Sequence, residues 1–140
     1  MDAEIGRRAF SATADDVPRT VAFVTGLAAE AGLGPESRRR LELAVEEWVV
    51  NLCRHAYADG AGGIEVRVGE DPGRLVVEIE DQGPPFDPTG AREPDVGAPL
   101  SERTPGGLGI LLIRRMTDEF RYRREGGRNV VTLSVAAPQS

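Results

Sequence analysis

EEWVVNLCRHAY, residues Glu46 to Tyr57, reads as the second half of an amphipathic helix. Pro35 opens that helix, and Leu41, Val45, Trp48, Val49, Leu52 and Ala56 form its apolar face. Yet an Asn stands in its interior, with a Glu one turn before and the chain's single His one turn after. Residues four apart lie one above another on a helix, so Glu47, Asn51 and His55 project from one strip beside the apolar face. Glu46 lies about 100° round the helix from Glu47 and off that strip. An interior Asn mildly disfavours a helix. Its carbonyl can ligate Mg²⁺, which takes oxygen donors and keeps several waters. A Glu one turn away can take a proton from a hydroxyl attacking a phosphoryl group. Taken alone, the strip is better explained as a polar helix flank with a hydrogen-bonded Asn.

Composition narrows the chemistry. A chain of 140 residues, 40% hydrophobic and 29% charged, fits one globular domain spanning residues 1–140. The opening MDAEIGRRAF is no signal peptide and no apolar run reaches the length of a membrane span, so a cytoplasmic location without membrane contact is the expectation. One Cys and one His disfavour an internal disulfide or a zinc site. The net charge of −6 argues against direct nucleic-acid binding. The basic run at 38–40 reads as a solvated helix face. Every basic side chain is Arg and none is Lys, which removes a Walker A loop, the common two-lobed protein kinase and Schiff-base chemistry. A nucleotide here would have its phosphates met by Mg²⁺, backbone N–H groups, helix N-termini or Arg.

Outward from the opening helix, GRRAFSAT (6–13) reads as an edge strand. Asp15 or Asp16 then caps a first helix with Pro18 near its start, and Gly32 and Gly34 stop it. After the second helix the period changes to two. IEVRV (64–68) and LVVEIED (75–81) alternate around the turn Asp71-Pro72-Gly73. Residues 82–106, rich in Pro, Gly and acids, read as a long loop of the kind that is usually functional or mobile. LGILLIRRM (108–116) reads as a third helix, then FRYRRE and NVVTLSV as a closing hairpin around Gly126-Gly127, with AAPQS a frayed tail. The order β-α-α-β-β-loop-α-β-β predicts a two-layer α+β sandwich, its largely antiparallel sheet covered on one face by helices.

Two further motifs carry chemistry. DQGPPFDP (81–88) follows a strand. Its Asp81 can accept a hydrogen bond from an exocyclic amine, Gly83 lets a flat base approach the backbone, and Phe86 can fix the loop to the core. GGLG (106–109) opens a helix and offers small residues and free N–H groups to an anion. Each alone is an ordinary turn or a flexible helix entry. Together with the helix strip they form, in order, metal ligand, base reader, lid and phosphate cradle, without Lys.

E-x-x-x-N-x-x-x-H-A-Y (Glu47 to Tyr57), D-x-G-x-P-F-D-P (Asp81 to Pro88) and G-G-L-G-I (Gly106 to Ile110) resemble the N box and the two glycine boxes of the GHKL ATPase superfamily. The small size and the HAY and PFDP spellings are most similar to its bacterial anti-sigma-factor serine kinases. The resemblance covers nearly the whole chain and implies the Bergerat ATP-binding fold, with helices on one side of a mixed sheet. It implies that Asn51 ligates Mg²⁺, that Glu47 is the general base, and that Asp81 meets the adenine amine beside Gly83. It implies that Gly107 and Gly109, with Gly106, wrap the phosphates, and that Pro84 to Pro105 form the ATP lid. It implies binding to a sigma factor, phosphorylation of a STAS-type anti-anti-sigma protein, and a homodimer. Some kinases of the family carry an Arg two residues before Gly-x-Gly. Pro105 stands there in this chain, with Arg103 the nearby substitute. That departure leaves open an alternative, a nucleotide-responsive binding module without kinase turnover. A detached histidine-kinase catalytic domain is a third reading, weakened because no dimerisation helix carries a phosphoacceptor His.

Overall fold

A computed structural model describes residues 1–56, 62–88 and 107–136, without the side chains of residues 55, 56, 107 and 108. Five strands and three α-helices follow one another as β1 (Ala3–Ser11), α1 (Val17–Glu30), α2 (Pro35–Asn51), β2 (Gly63–Asp71), β3 (Arg74–Asp81), α3 (Gly107–Met116), β4 (Glu119–Glu125) and β5 (Arg128–Ala136). A 3-10 turn at Ala14–Asp16 leads into α1, and a π-helical turn at Leu52–Ala56 prolongs α2. The strands lie in the order β1-β2-β3-β5-β4. All four pairings are antiparallel, so the largely antiparallel expectation holds throughout the described strands, which contain no mixed pairing. β1 is the edge strand anticipated, beginning three residues earlier, at Ala3.

Alternation along the strands decides which face meets the helices. Ile64, Val66 and Val68 of β2, Leu75, Val77 and Ile79 of β3, and Val131, Leu133 and Val135 of β5 are all buried. Against them pack Val24 and Ala28 of α1, Leu41, Val45, Trp48 and Val49 of α2, and Ile113 of α3. Burying each large aliphatic side chain contributes about 1.5–3 kcal/mol. The intervening charged residues of β2 to β5 form ion pairs across the other face of the sheet. Arg67 and Arg123 both reach Glu78, at 3.7 and 3.0 Å, and Arg128 reaches Glu80 at 3.3 Å. Pairs with at least one exposed partner, such as Arg123–Glu78 and Arg128–Glu80, contribute little each.

Local chemistry sets the turns. Gly126 and Gly127 have φ of 55° and 79°, the conformation a two-residue hairpin needs, so β4 folds straight back into β5. Asp16 precedes α1, but its carboxylate does not cap that helix. Asp16 Oδ2 accepts the Ser11 N–H at 2.8 Å and ties the end of β1 to the entry of α1. Among the described residues no helix is long and apolar enough to cross a membrane.

Ile79 is fully buried in β3, between two strands and under the helices. Ile79→Ala is expected to lower unfolding free energy by about 2–5 kcal/mol through lost burial and a residual cavity, measured by urea denaturation.

Candidate functional site

The α2 strip meets α3 at its upper end. Asn51 is 6% exposed, Glu47 is half-buried and Glu46 faces solvent. The first turn of α3 approaches Glu47 and Asn51 closely. A Cβ on Gly109 would stand 2.8 Å from Glu47 Oε2 and 4.0 Å from Asn51 Nδ2. Only glycine lets the helix sit there without displacing the carboxylate. Glu47, Asn51 and Gly109, distant in sequence, therefore share one corner.

Beyond Asn51 the helix departs from expectation. Residues Leu52–Ala56 are π-helical and not a straight continuation of the α-helix. A π-turn widens the i→i+4 ladder to i→i+5 and shifts the register of the residues after it. The backbone of His55 lies in that turn, and its side chain is not among those described. Cys53 is also in this turn, and burial pushes its thiol pKa up, away from nucleophilic use.

The second half of the site lies at the strand ends. Asp81 falls in register with Val77 and Ile79, so it points inward, and it is 1% exposed. Its Oδ1 accepts the Gly83 N–H at 2.9 Å and the Asn129 Nδ2 at 3.0 Å. Its Oδ2 is buried with no hydrogen-bond partner among the described residues. A buried carboxylate oxygen left so is costly and calls for a donor. Asn129 is directly opposite Asp81 in the β3–β5 ladder and 2% exposed. Its Nδ2 also donates to Pro84 O at 2.9 Å, and its Oδ1 accepts Tyr122 Oη at 2.6 Å and Arg124 Nη1 at 3.1 Å. Arg124 Nη1 further donates to Gly83 O at 2.8 Å. The strand end and the start of the following segment are thus cross-braced by β4 and β5.

A cavity of about 100 Å³ connects the two halves, lined by Trp48, Asn51 and Leu52 of the helix layer, Asp81 and Asn129 of the sheet, and Pro84 to Phe86. Phe86 stacks on Trp48, with ring centroids 6.3 Å apart and planes 16° from parallel, so it does fix its loop to the core. The donor set fits a nucleotide carrying a metal. It contains an unpaired buried acceptor, an Asn amide and a carboxylate near one another, and a glycine that leaves room beside them. Among the described residues no cluster of three or more His, Cys, Asp or Glu could cage a metal. Mg²⁺ needs no such cage when substrate phosphates complete its shell.

Glu47, Asn51 and Gly109 are brought together, Asp81 and Gly83 meet at the far side of the cavity, and Gly107 begins α3. Gly106, Arg103, Pro105 and lid residues beyond Pro88 lie outside the described residues. Asn129, Tyr122 and Arg124 were not singled out from sequence. One signal for Asn129 was present: counting back by twos from Val135 through Leu133 and Val131 lands on Asn129, an inward polar residue.

Comparison with known proteins gives the family and the fold. A family model described as the histidine kinase-like ATPase domain matches residues 10–135. The serine/threonine-protein kinase BtrW of Bordetella bronchiseptica is 32% identical over 105 residues, which is 74% of each chain. The serine-protein kinase RsbW of Bacillus licheniformis is 33% identical over 118 residues, covering 80% of this chain and 71% of that one. Among solved structures, the RsbU and RsbW domains of a Mycobacterium tuberculosis protein match with a TM-score of 0.63 at 16% identity, covering 96% of this chain and 33% of that one. That last likeness is one of fold.

Removing the Asn129 amide leaves buried acceptors and donors without partners. Asn129→Ala is expected to cost about 1–3 kcal/mol in urea unfolding. It should also speed hydrogen exchange at the Gly83 amide, while exchange in α1 is unchanged. Gly109→Val is expected to displace the Glu47 carboxylate, visible as a shifted side-chain carboxyl resonance in NMR.

Proposed function

The chain belongs to the histidine kinase-like ATPase family, with serine-protein kinases among its relatives, and on that premise we propose that it is an ATP-dependent protein-serine kinase and anti-sigma switch. It phosphorylates a serine of a STAS-type anti-anti-sigma protein and regulates transcription by holding a sigma factor, in the cytoplasm and as a homodimer. The single domain with its lid over residues 84–105 is part of this reading. The observation that carries it is the unpaired Asp81 Oδ2 in a cavity that also reaches Asn51. Glu47 stands one turn away, against Gly109.

The chain's own residues divide the work. Asp81 Oδ2 accepts a hydrogen bond from the exocyclic amine of adenine, and Gly83 lets the base lie close to the backbone. The N–H groups at Gly107 and Gly109, with Gly106, receive the phosphates at the start of α3, where the helix dipole favours anions. Asn51 offers its carbonyl oxygen to Mg²⁺. The bound ion, when present, neutralises charge on the phosphates. Glu47 takes the proton of the attacking serine hydroxyl, the step its half-buried carboxylate suits. Arg103 supplies the charge for the terminal phosphate that Pro105 lacks.

Pro105 supports one alternative, a nucleotide-responsive binding module without turnover. Transfer of label from γ-labelled ATP to a STAS partner separates the two. Wild type is expected to label a partner serine, and Glu47→Ala to lower the rate by about 10²–10⁴-fold with ATP affinity retained. Equal rates in both proteins would remove Glu47 as base. Tight ATP binding with no transfer by wild type would leave the binding module.

A further inference from the structure

Among the described residues, Asp81 Oδ2 and Trp48 Nε1 are both buried without hydrogen-bond partners. The two side chains line the same cavity of about 100 Å³. They are opposite in kind, because a carboxylate oxygen only accepts and an indole N–H only donates. A ligand that satisfies both must present a donor and an acceptor side by side. An apolar ligand leaves both orphaned and a group with donors alone leaves one, which is costly for buried polar atoms.

Resting on the nucleotide reading above, we propose that Trp48 is a second base-reading residue, its indole N–H donating to a ring nitrogen of the adenine whose amine donates to Asp81 Oδ2. Adenine carries its 6-amino group between two ring acceptors, N1 and N7, so one edge supplies both contacts. Guanine fits poorly. Its C6 carbonyl would face the Asp81 oxygen, acceptor against acceptor. Its paired N1–H and N2–H donors would need both carboxylate oxygens, and Oδ1 is already held by Gly83 and Asn129. Trp48 is also pre-oriented. It is 1% exposed, stacked on Phe86 and crossed by Phe120 in a T-shaped contact, with centroids 6.3 Å away and planes at 68°. A donor held in place before the ligand arrives loses little entropy on binding. The competing partner for the N–H is the Phe120 ring itself, through a weaker N–H to π contact.

The test uses chemical mutants of both sides, measured by isothermal titration with Mg²⁺ present. Wild type and Trp48→Phe are each titrated with ATP, 1-deaza-ATP, 7-deaza-ATP and purine riboside triphosphate, which lacks the amine. One deaza analogue is expected to bind wild type about three- to tenfold more weakly than ATP, the worth of one hydrogen bond. Trp48→Phe should bind that analogue and ATP equally. Loss of the amine should weaken both proteins by the same factor. A deaza penalty that persists in Trp48→Phe overturns the proposal, as does a wild type that binds both deaza analogues as tightly as ATP. Either result removes Trp48 as a base reader while leaving ATP binding intact. Wild type that binds none of the four overturns the nucleotide reading and this inference together. Should Trp48→Phe fail to fold, Trp48, the chain's single Trp, can be replaced during biosynthesis by its benzothienyl isostere, which keeps shape and removes only the N–H.

Discussion

The cross-strand pair of Asp81 and Asn129 holds the candidate site together. The two residues face each other at the ends of β3 and β5, both on the face turned to the helices. Their hydrogen bond spans 48 residues of sequence and is made where little water competes. From it extend the contacts to Gly83 and Pro84, and through Tyr122 and Arg124 the brace to β4. That network occupies one oxygen of Asp81, a residue that lines the cavity, and sets the path of the chain toward Phe86. A buried polar network of this kind is stable only when nearly every member is satisfied, which makes the one unsatisfied oxygen informative.

The helix layer supplies the other half of the site by dividing labour along α2. Leu41, Val45 and Val49 are fully buried and anchor it to the sheet. Glu47 and Asn51 come to the edge of that contact because they are one turn apart and off its centre. Trp48 belongs to both sets, packed in the core yet lining the cavity. The glycine at 109 then lets a second helix close on the same corner. Neither layer alone contains a site. The cavity exists because the helices cover one face of the sheet and leave the strand ends accessible beside them.

Much of this was legible in the chain. The change from a four-residue to a two-residue period separated helices from strands, because side-chain direction follows local backbone geometry. The glycine pair at 126 and 127 marked the last hairpin for the same local reason. Glu47, Asn51, Asp81 and Gly109 stood out because each is an unusual residue type for its place. Asn129 did not stand out, since a polar residue at the start of a strand is common. Its meaning comes from the strand opposite, and register between strands far apart in sequence is not written in either one. The π-turn after Asn51 did not stand out for a related reason: it is a packing outcome at the helix end, invisible to a periodicity count.

By itself the sequence determined the layer architecture, the apolar faces and the identity of the chemically unusual residues, since these depend on side-chain type and on neighbours within a few positions. The tertiary structure decided which of those residues meet. It set Glu47 against Gly109, paired Asp81 with Asn129, and turned the only Trp toward the same cavity as an unpaired carboxylate oxygen. Those are contacts between segments dozens of residues apart. They arise from how whole layers pack and how strands register, free-energy balances that no local stretch of chain contains.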